Sequence, residues 1–137
     1  MRYCLNKIRQ DGLKAIIKRR LTWYRNSLRY NNYWIGRAIE LLGNRIRLNG
    51  MWFSLDTPAI TTGDRCTLAF GGHEGPERRF VQYMPRELPV IEFGGAIGVT
   101  SCVVNRHLKD PARHVVFEPN PIARALLEKN RDMNRCR

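Results

Sequence analysis

Two glutamates and three glycines in the last third of the chain have the types and spacing of a nucleoside-binding site. Gly94, Gly95 and Gly98 form a short stretch that predicts a tight turn opening onto a helix. Glu92 stands just before this stretch, and Glu118 follows Gly98 by twenty residues. A carboxylate just before the turn, as at Glu92, would repel a pyrophosphate and suit a cationic amine. A carboxylate at the end of the following strand, as at Glu118, commonly accepts hydrogen bonds from ribose hydroxyls. These residues predict a ligand with an ammonium group and a ribose.

The glycine spacing argues against a dinucleotide. The G-x-G-x-x-G fingerprint of dinucleotide-binding proteins would place a glycine where Phe93 stands. An ammonium group and a ribose together describe S-adenosylmethionine better than NAD. The alternative interpretation is that the glycine turn belongs to an ordinary doubly wound sheet and that Glu118 only ends a strand.

Two strands and a helix must position these residues. Residues 88–93 form a short apolar run typical of a buried strand, and residues 114–118 predict a second strand. Between them, residues 99–108 predict a helix with Val99, Cys102 and Val103 facing inward. The two strands should be parallel and the crossover right-handed, so that Glu118 ends the strand next to the turn.

The sequences VIEFGGAIG at residues 90–98 and VFEPNP at residues 116–121 resemble the first two motifs of class I S-adenosylmethionine-dependent methyltransferases. The Glu-Pro-Asn-Pro form, followed by Asn130 and Asn134, is similar to the FkbM family in particular. Residues 71–84, which contain Glu74 and Glu77, also resemble the lead-in segment of that family. The resemblance implies a Rossmann-like parallel sheet, S-adenosylmethionine as cofactor, and O-methylation of a sugar or polyketide hydroxyl as the reaction.

The same resemblance implies a role for each candidate site residue. The three glycines would let the backbone approach the methionine moiety, and Glu92 would face its ammonium group. Glu118 would accept the ribose hydroxyls, and Asn120 would border the adenine. No residue of the chain can be nominated as a catalytic base, so the catalytic residues remain unknown.

A chain of 137 residues is long enough for one small domain with a core, but it is shorter than the seven-stranded domain that the resemblance implies. We therefore expect this chain to be the N-terminal part of a longer α/β enzyme. Alone, it should be inactive, should bind the cofactor weakly or not at all, and should self-associate. The expected organisation is a basic helical leader at residues 1–43, a β-hairpin and lead-in helix at 44–87, and the first βαβα of the Rossmann-like domain at 88–137.

The positive charge is concentrated in the leader. The chain has a formal net charge of +12, and residues 1–37 contain ten Lys or Arg residues against Asp11 alone. Residues 1–29 predict one or two helices, with a break at Asp11-Gly12 and an apolar stripe that includes Ile17 and Leu21. This stripe could pack on the main domain or lie on an anionic membrane surface. A third alternative is contact with nucleic acid, on which the nearby aromatic residues could stack; nucleic acid is the least favoured partner.

The cysteines and histidines predict no metal site. Four scattered cysteines without a C-x-x-C pair fit a reducing compartment, and without a signal peptide or an uninterrupted apolar span we expect a cytoplasmic protein with no transmembrane segment. His73-Glu74 lacks the second histidine of a zinc motif, and His107 and His114 are expected to be exposed to solvent. Glu74 or Glu77 could reach the cofactor pocket, or could simply stabilise a helix N-terminus.

The middle of the chain shows local signals for a hairpin and short helices. Asn49-Gly50 predicts a type I′ turn between strands in residues 45–55. A helix is expected from Asn31-Asn32 to Gly43, with Ile35, Ala38, Ile39 and Leu42 as its core face. Residues 61–64 are expected to form a loop, residues 67–70 a short strand, and the segment after Pro76 a helix that buries Phe80, Val81 and Met84.

The alternative function is a nonenzymatic binding module whose basic leader contacts membrane or nucleic acid.

Overall fold

The described part of the chain contains two separate pairs of strands joined by helices. The structure is a computed structural model that describes residues 17, 18, 20, 21 and 30–137. Its helices are α1 (Tyr33–Leu41), α2 (Thr62–Ala69), α3 (Gly75–Phe80), α4 (Val99–His107) and α5 (Pro121–Met133). Its strands are β1 (Arg45–Leu48), β2 (Met51–Ser54), β3 (Val90–Phe93) and β4 (His114–Phe117), and Val81–Tyr83 and Pro111–Arg113 form short 3₁₀ helices. The mixed α/β class is confirmed.

The predicted hairpin is confirmed. β1 and β2 pair antiparallel, with Leu48 opposite Met51 at the turn. Asn49 and Gly50 both adopt positive φ, 50° and 74°, as a type I′ turn requires. Met51 and Phe53 are buried from one face of β2, whereas Trp52 is exposed, so the hairpin packs one face against the rest of the chain.

The parallel pair predicted around the glycine turn is also present. β3 and β4 pair in parallel with Glu92 opposite Val116, and α4 connects them in the chain. One face of the pair lies towards α4 and α5. The other face carries four exposed apolar side chains: Ile91, Phe93, Val115 and Phe117. Parallel sheets in other proteins are normally covered on both faces, so this face is unusual in being open.

Asn130 of α5 and Asn134, the C-cap of that helix, join the hairpin to the rest of the fold. Asn130 accepts from the backbone N–H of Ser54 (2.7 Å) and donates to its carbonyl (3.1 Å). Asn134 pairs in the same way with the backbone of Trp52 (3.1 and 2.7 Å). The spacing matches because four residues of helix rise about 6 Å and two residues of strand rise about 6.6 Å.

The main core lies between the hairpin, α2, α4 and α5. Its buried apolar residues are Ile46, Met51, Phe53, Leu55, Ile60, Leu68, Val99, Cys102 and Leu126. A smaller cluster of Val81, Val104 and Leu108 lies on the other side of α4. The inward orientation predicted for Val99 and Cys102 is confirmed.

The prediction of a loop at residues 61–64 and a strand at residues 67–70 is wrong, because helix α2 spans most of this region. Thr61 accepts from the backbone N–H of Asp64, whose carboxylate accepts from the N–H of Thr61. This reciprocal capping box satisfies donors of the first helical turn. A Cβ on Gly36 of α1 would lie 1.7 Å from the carbonyl oxygen of Thr62, so glycine allows α1 and α2 to touch.

Two predicted helix faces need correction. In α1, Asn32 caps the N-terminus as expected, but Leu42 and Ala38 are exposed and Gly36 is the buried residue. After α3, Val81 is buried as predicted, whereas Phe80 is 68% exposed. In α1 the error arises because α2 packs against the side that carries Gly36, which is not the most apolar side.

The basic leader falls largely outside the described residues. Residues 1–16, 19 and 22–29, including the predicted break at Asp11-Gly12, are not described. Ile17 and Leu21 are helical and 49% and 64% exposed. In the part of the chain that is described, no helix has the length and apolar character needed to cross a membrane.

Candidate functional site

The glycine turn at residues 94–98 alternates between ordinary and left-handed backbone. Gly94, Ala96 and Gly98 have φ of 85°, 46° and 84°, and Gly94 donates its N–H to the carbonyl of Phe117 at the end of β4 (2.8 Å). Left-handed backbone strains a residue that carries a Cβ, so Ala96 holds a conformation that its neighbours must enforce. The turn therefore has a defined shape at the carboxyl end of the parallel pair.

The three glycines of the turn face different surroundings. A Cβ on Gly95 would lie 2.5 Å from both Leu127 and Val116, and one on Gly98 would lie 3.2 Å from Leu127. These two glycines allow α5 to approach the turn. A Cβ on Gly94 would meet nothing within 4 Å. Gly94 is thus the glycine whose open side leaves room for a ligand.

Glu118 lies directly against the turn. Its Oε2 accepts from the backbone N–H of Ala96, and its Oε1 accepts from the backbone N–H of Asn120, each at 2.8 Å. An ionised carboxylate has about four lone-pair positions, so each oxygen retains capacity for one further donor. The side chain is half-buried, and the carboxylate is fixed in place by the backbone on both sides.

Asn120 acts as the N-cap of α5. Its Oδ1 accepts from the backbone N–H groups of Ile122 and Ala123 (3.0 and 3.4 Å), and Pro121 occupies the first helical position. Asn120 is exposed. It lies two residues from Glu118, but its side-chain oxygen already has a structural role.

Glu92 is directed away from the open side of the turn. Its Oε1 accepts from the Ser101 hydroxyl on α4 (2.9 Å), and its Oε2 lies 3.1 Å from Nε2 of His114 on β4. The Glu92 and His114 side chains are 17% and 2% exposed. Glu92 is therefore engaged beneath α4 by two side chains of its own chain.

The expectation that His114 is exposed is wrong. Its side chain is buried on the covered face of the parallel pair, where the register brings β3 and β4 together. His107 is half-buried, and its Nε2 lies 2.9 Å from the carbonyl of Met84. Side chains alternate along a strand, so His114, Val116 and Glu118 lie on one side of β4. This alternation was the signal in the sequence that the His114 side chain is buried.

Glu74 reaches the turn from the preceding segment. Its Oε2 accepts from the Thr100 hydroxyl at the start of α4 (2.6 Å). Glu74 also lines a cavity of about 220 Å³ together with Ala96, Ile97 and Val99. Glu77 is exposed in the first turn of α3. Of the two acids considered from the sequence, the structure brings Glu74 to the site.

Acidic and basic groups share this cavity, which we call the turn cavity. Asp64, Glu74 and Arg78 line it beside apolar Ile60 and Leu68. Arg78 donates to the carbonyls of His73 (2.6 Å) and Gly71 (3.0 Å). Burial lowers the pKa of the Arg78 guanidinium, and the nearby carboxylates oppose that shift.

The fixed carboxylate of Glu118 and the partly apolar turn cavity meet at Ala96 of the turn, and Glu118 itself lines a different cavity, on the covered side of β4. Such a set can bind a ligand that presents hydroxyls at one end and a cation at the other. Among the described residues, no cluster of three or more His, Cys, Asp or Glu side chains has the arrangement of a metal site. No family model, curated protein or solved structure matches this chain.

Proposed function

We propose that this chain carries the cofactor-binding part of an S-adenosylmethionine-dependent methyltransferase, with a Rossmann-like sheet and an FkbM-like reaction on a sugar or polyketide hydroxyl. The observation that carries the proposal is Glu118. Its carboxylate lies at the end of a parallel strand, is held by the backbone N–H of Ala96, and keeps one acceptor position on each oxygen. Two adjacent acceptors match the two adjacent hydroxyls of a ribose.

The ligand would extend from Glu118 across Gly94 to the turn cavity. Gly94 presents an open side, so the backbone offers no obstacle there. The turn cavity is smaller than the roughly 300–1,000 Å³ typical of sites that enclose a drug-sized ligand. It therefore suits one end of S-adenosylmethionine, the methionine moiety, rather than the whole molecule.

The geometry changes the assignment of the ammonium group. Both oxygens of Glu92 have partners on α4 and β4. Glu74 lines the turn cavity, and its second oxygen, Oε1, has no hydrogen bond within the described residues. We therefore assign the ammonium contact to Glu74 and treat Glu92 as a residue that positions β3, β4 and α4.

S-adenosylmethionine supplies an electrophilic methyl group on a sulfonium. This chain would hold that group in a fixed orientation through Glu118, Gly94 and Glu74. Holding the reacting atoms in line accounts for a large share of the barrier reduction in reactions of this kind. The methyl acceptor would lose its hydroxyl proton to a base, and no described residue of the turn cavity is assigned that role.

Nuclear magnetic resonance titration of the chain with S-adenosylhomocysteine tests the proposal, because it detects binding in the millimolar range. We expect amide shifts at residues 94–100 and at Glu118, and none with NAD. Shifts with NAD and none with S-adenosylhomocysteine would contradict the proposed site.

Variants of the two acids locate the ligand. Glu118→Ala should weaken binding about ten- to a hundredfold, because a hydrogen bond to a charged group contributes about 1.5–3 kcal/mol. Glu118→Gln should lose less because it keeps one acceptor. Glu77→Ala, at an exposed acid of α3, is the matched control and should bind like the unmodified chain.

One observation favours a second role, peripheral membrane contact through the leader. Ile17 and Leu21 lie four residues apart on a helix, share one face, and are both exposed beside basic residues. Basic amphipathic helices bind anionic lipid surfaces. Deleting residues 1–29 should abolish salt-sensitive binding to anionic liposomes; equal binding after the deletion would exclude this role, and binding to RNA instead would favour nucleic acid.

A further inference from the structure

Two thiols meet in a second cavity, on the covered side of β4. Cys102 belongs to α4 and is 2% exposed, and Cys136 lies beyond α5 and is half-buried. Both side chains line a cavity of about 200 Å³ that also includes Ser101 and His114. Both side chains pack in the main core region, and they are not joined by a disulfide.

Several contacts fix the position of Cys136. Its backbone N–H donates to the carbonyl of Arg131 (3.0 Å). The next residue, Arg137, exchanges two backbone hydrogen bonds with the buried side chain of Asn105 on α4 (3.0 and 2.6 Å). Each thiol also lies near a backbone carbonyl at the C-terminal end of α5, Cys102 near that of Asn130 (4.0 Å) and Cys136 near that of the C-cap Asn134 (3.9 Å). The pair is thus held from both α4 and α5.

The charges around the pair differ for the two sulfurs. The pKa of Cys136 is lowered, because its thiolate accepts a hydrogen bond from Cys102 and lies near Arg106, His114 and Arg131. The hydrogen bond with Cys136 and burial raise the pKa of Cys102, and Glu92 adds to that increase. Cys136 is also the more exposed of the two thiols, so we assign it as the nucleophile and Cys102 as the thiol that keeps its proton.

We propose that Cys102 and Cys136 form a redox-active dithiol that hydrogen peroxide converts to a disulfide between α4 and the segment after α5. The Cys136 thiolate attacks the peroxide, the O–O bond breaks, and after uptake of one proton the products are a sulfenic acid and water. The Cys102 sulfur then attacks the sulfenic sulfur. The S–S bond forms, the S–O bond breaks, and hydroxide leaves with the Cys102 proton as a second water. Two electrons pass from the two thiols to one peroxide.

The cavity gives this chemistry a defined place. A disulfide requires the sulfurs to close to about 2.05 Å, and both thiols begin in the lining of one cavity of about 200 Å³. Partial exposure of Cys136 admits a small oxidant, whereas Cys66 on α2 is fully buried and shielded. This inference does not depend on the proposed methyltransferase function.

Peptide mapping after oxidation by hydrogen peroxide tests the inference. In a Cys4→Ser, Cys66→Ser background only the proposed pair remains. Cleavage after glutamate releases Cys102 in residues 93–128, because the Glu118–Pro119 bond resists cleavage, and Cys136 in residues 129–137. We expect these peptides to be joined, with the loss of two hydrogen atoms, and to separate on reduction. The unmodified chain should give the same linkage, which removes any dependence on the background variant.

Single variants identify the order of the two steps. Cys102→Ser should stop at a sulfenic acid on Cys136 that dimedone traps, and Cys136→Ser should give neither the adduct nor the linkage. The proposal is overturned if both thiols survive peroxide that oxidises glutathione in the same solution. Linkage between two chains, or sulfinic acid on Cys136 beside an intact Cys102 thiol, would overturn it as well.

Discussion

Replacing Asn130 with alanine should reveal how much the fold depends on one buried amide. The Asn130 side chain is fully buried and makes three hydrogen bonds to the backbone. It accepts from the N–H of Ser54 (2.7 Å) and donates to the carbonyls of Ser54 (3.1 Å) and Ile97 (2.9 Å). Alanine removes all three contacts at once and leaves three backbone groups to find other partners.

The expected loss follows from the burial of those groups. Leaving a buried donor or acceptor unsatisfied costs about 1–3 kcal/mol. Ser54 is 2% exposed, so water cannot readily reach its two groups, whereas Ile97 is half-buried and its carbonyl can be partly hydrated. We therefore expect Asn130→Ala to lower the free energy of unfolding by about 3–5 kcal/mol, out of the roughly 5–15 kcal/mol typical of a domain.

Urea unfolding monitored by circular dichroism measures this loss, as a lower midpoint with an unchanged slope. Asn120→Ala is the matched control, because Asn120 is an exposed helix cap whose removal should cost about 1 kcal/mol. If the two variants lose the same free energy, water or rearranged backbone satisfies the groups around Asn130. The argument that Asn130 joins the hairpin to the glycine turn would then be refuted.

Gly95→Ala should destabilise the chain by about 1–3 kcal/mol through overpacking, since its Cβ would lie 2.5 Å from side chains of β4 and α5; Gly75→Ala, at an open position, is the control, and equal urea midpoints would contradict the close packing. Serine at both Phe93 and Phe117, which are 80% and 58% exposed, should reduce the self-association that we expect at micromolar concentration from an open sheet face and edge. Sedimentation velocity measures it, and a monomeric unmodified chain would refute it. The rate of alkylation of Cys136 should rise with pH around a pKa of about 7, and a midpoint near the ordinary value of about 8.5 would show that the neighbouring cations do not act on it.

Local sequence signals were sufficient to predict turns and helix starts where single residues favour one backbone conformation. Asn49-Gly50 predicted the hairpin because both residues tolerate positive φ, and both adopt it. The run of glycines predicted the turn because glycine tolerates positive φ. The two apolar segments on either side of the turn and its helix predicted the parallel pair. Asn32 and Asn120 lie at helix starts and cap them with their own side chains, as short polar residues there are expected to do.

The prediction failed for α2 because tertiary contact outweighed the apparent strand pattern. Residues 67–70 contain alternating small and apolar side chains, which favoured a strand. The capping box of Thr61 and Asp64 was a readable signal for a helix start. The close contact between Gly36 and Thr62 was not readable, because it depends on how two distant segments cross.

Around the glycine turn, the order of the elements was easier to predict from the sequence than the directions of the side chains. The structure places the turn and Glu118 together, and their contact through Ala96 was not visible in the sequence. Glu92 precedes the turn as expected, yet strand alternation and the register opposite Val116 direct it to Ser101 and His114. Register between two strands depends on the packed face, so a single sequence could not distinguish a carboxylate at the turn from one beneath the helix.

The turn is held in its strained shape by groups that are distant in sequence. Ala96 keeps a left-handed backbone, a conformation that costs of order 1–3 kcal/mol and persists only when its surroundings enforce it. Glu118 holds its N–H, Asn130 holds the carbonyl of the next residue, and Glu74 holds Thr100 at the start of α4. Folding therefore fixes the turn before any ligand arrives, and a ligand bound there would lose little free energy to ordering the backbone. It follows that substitutions at Glu118 or Glu74 should alter the shape of the turn as well as the direct contact with the ligand. Comparing the amide chemical shift of Ala96 in the ligand-free variant and in the ligand-free unmodified chain reports the change in the turn alone, and so separates the two effects.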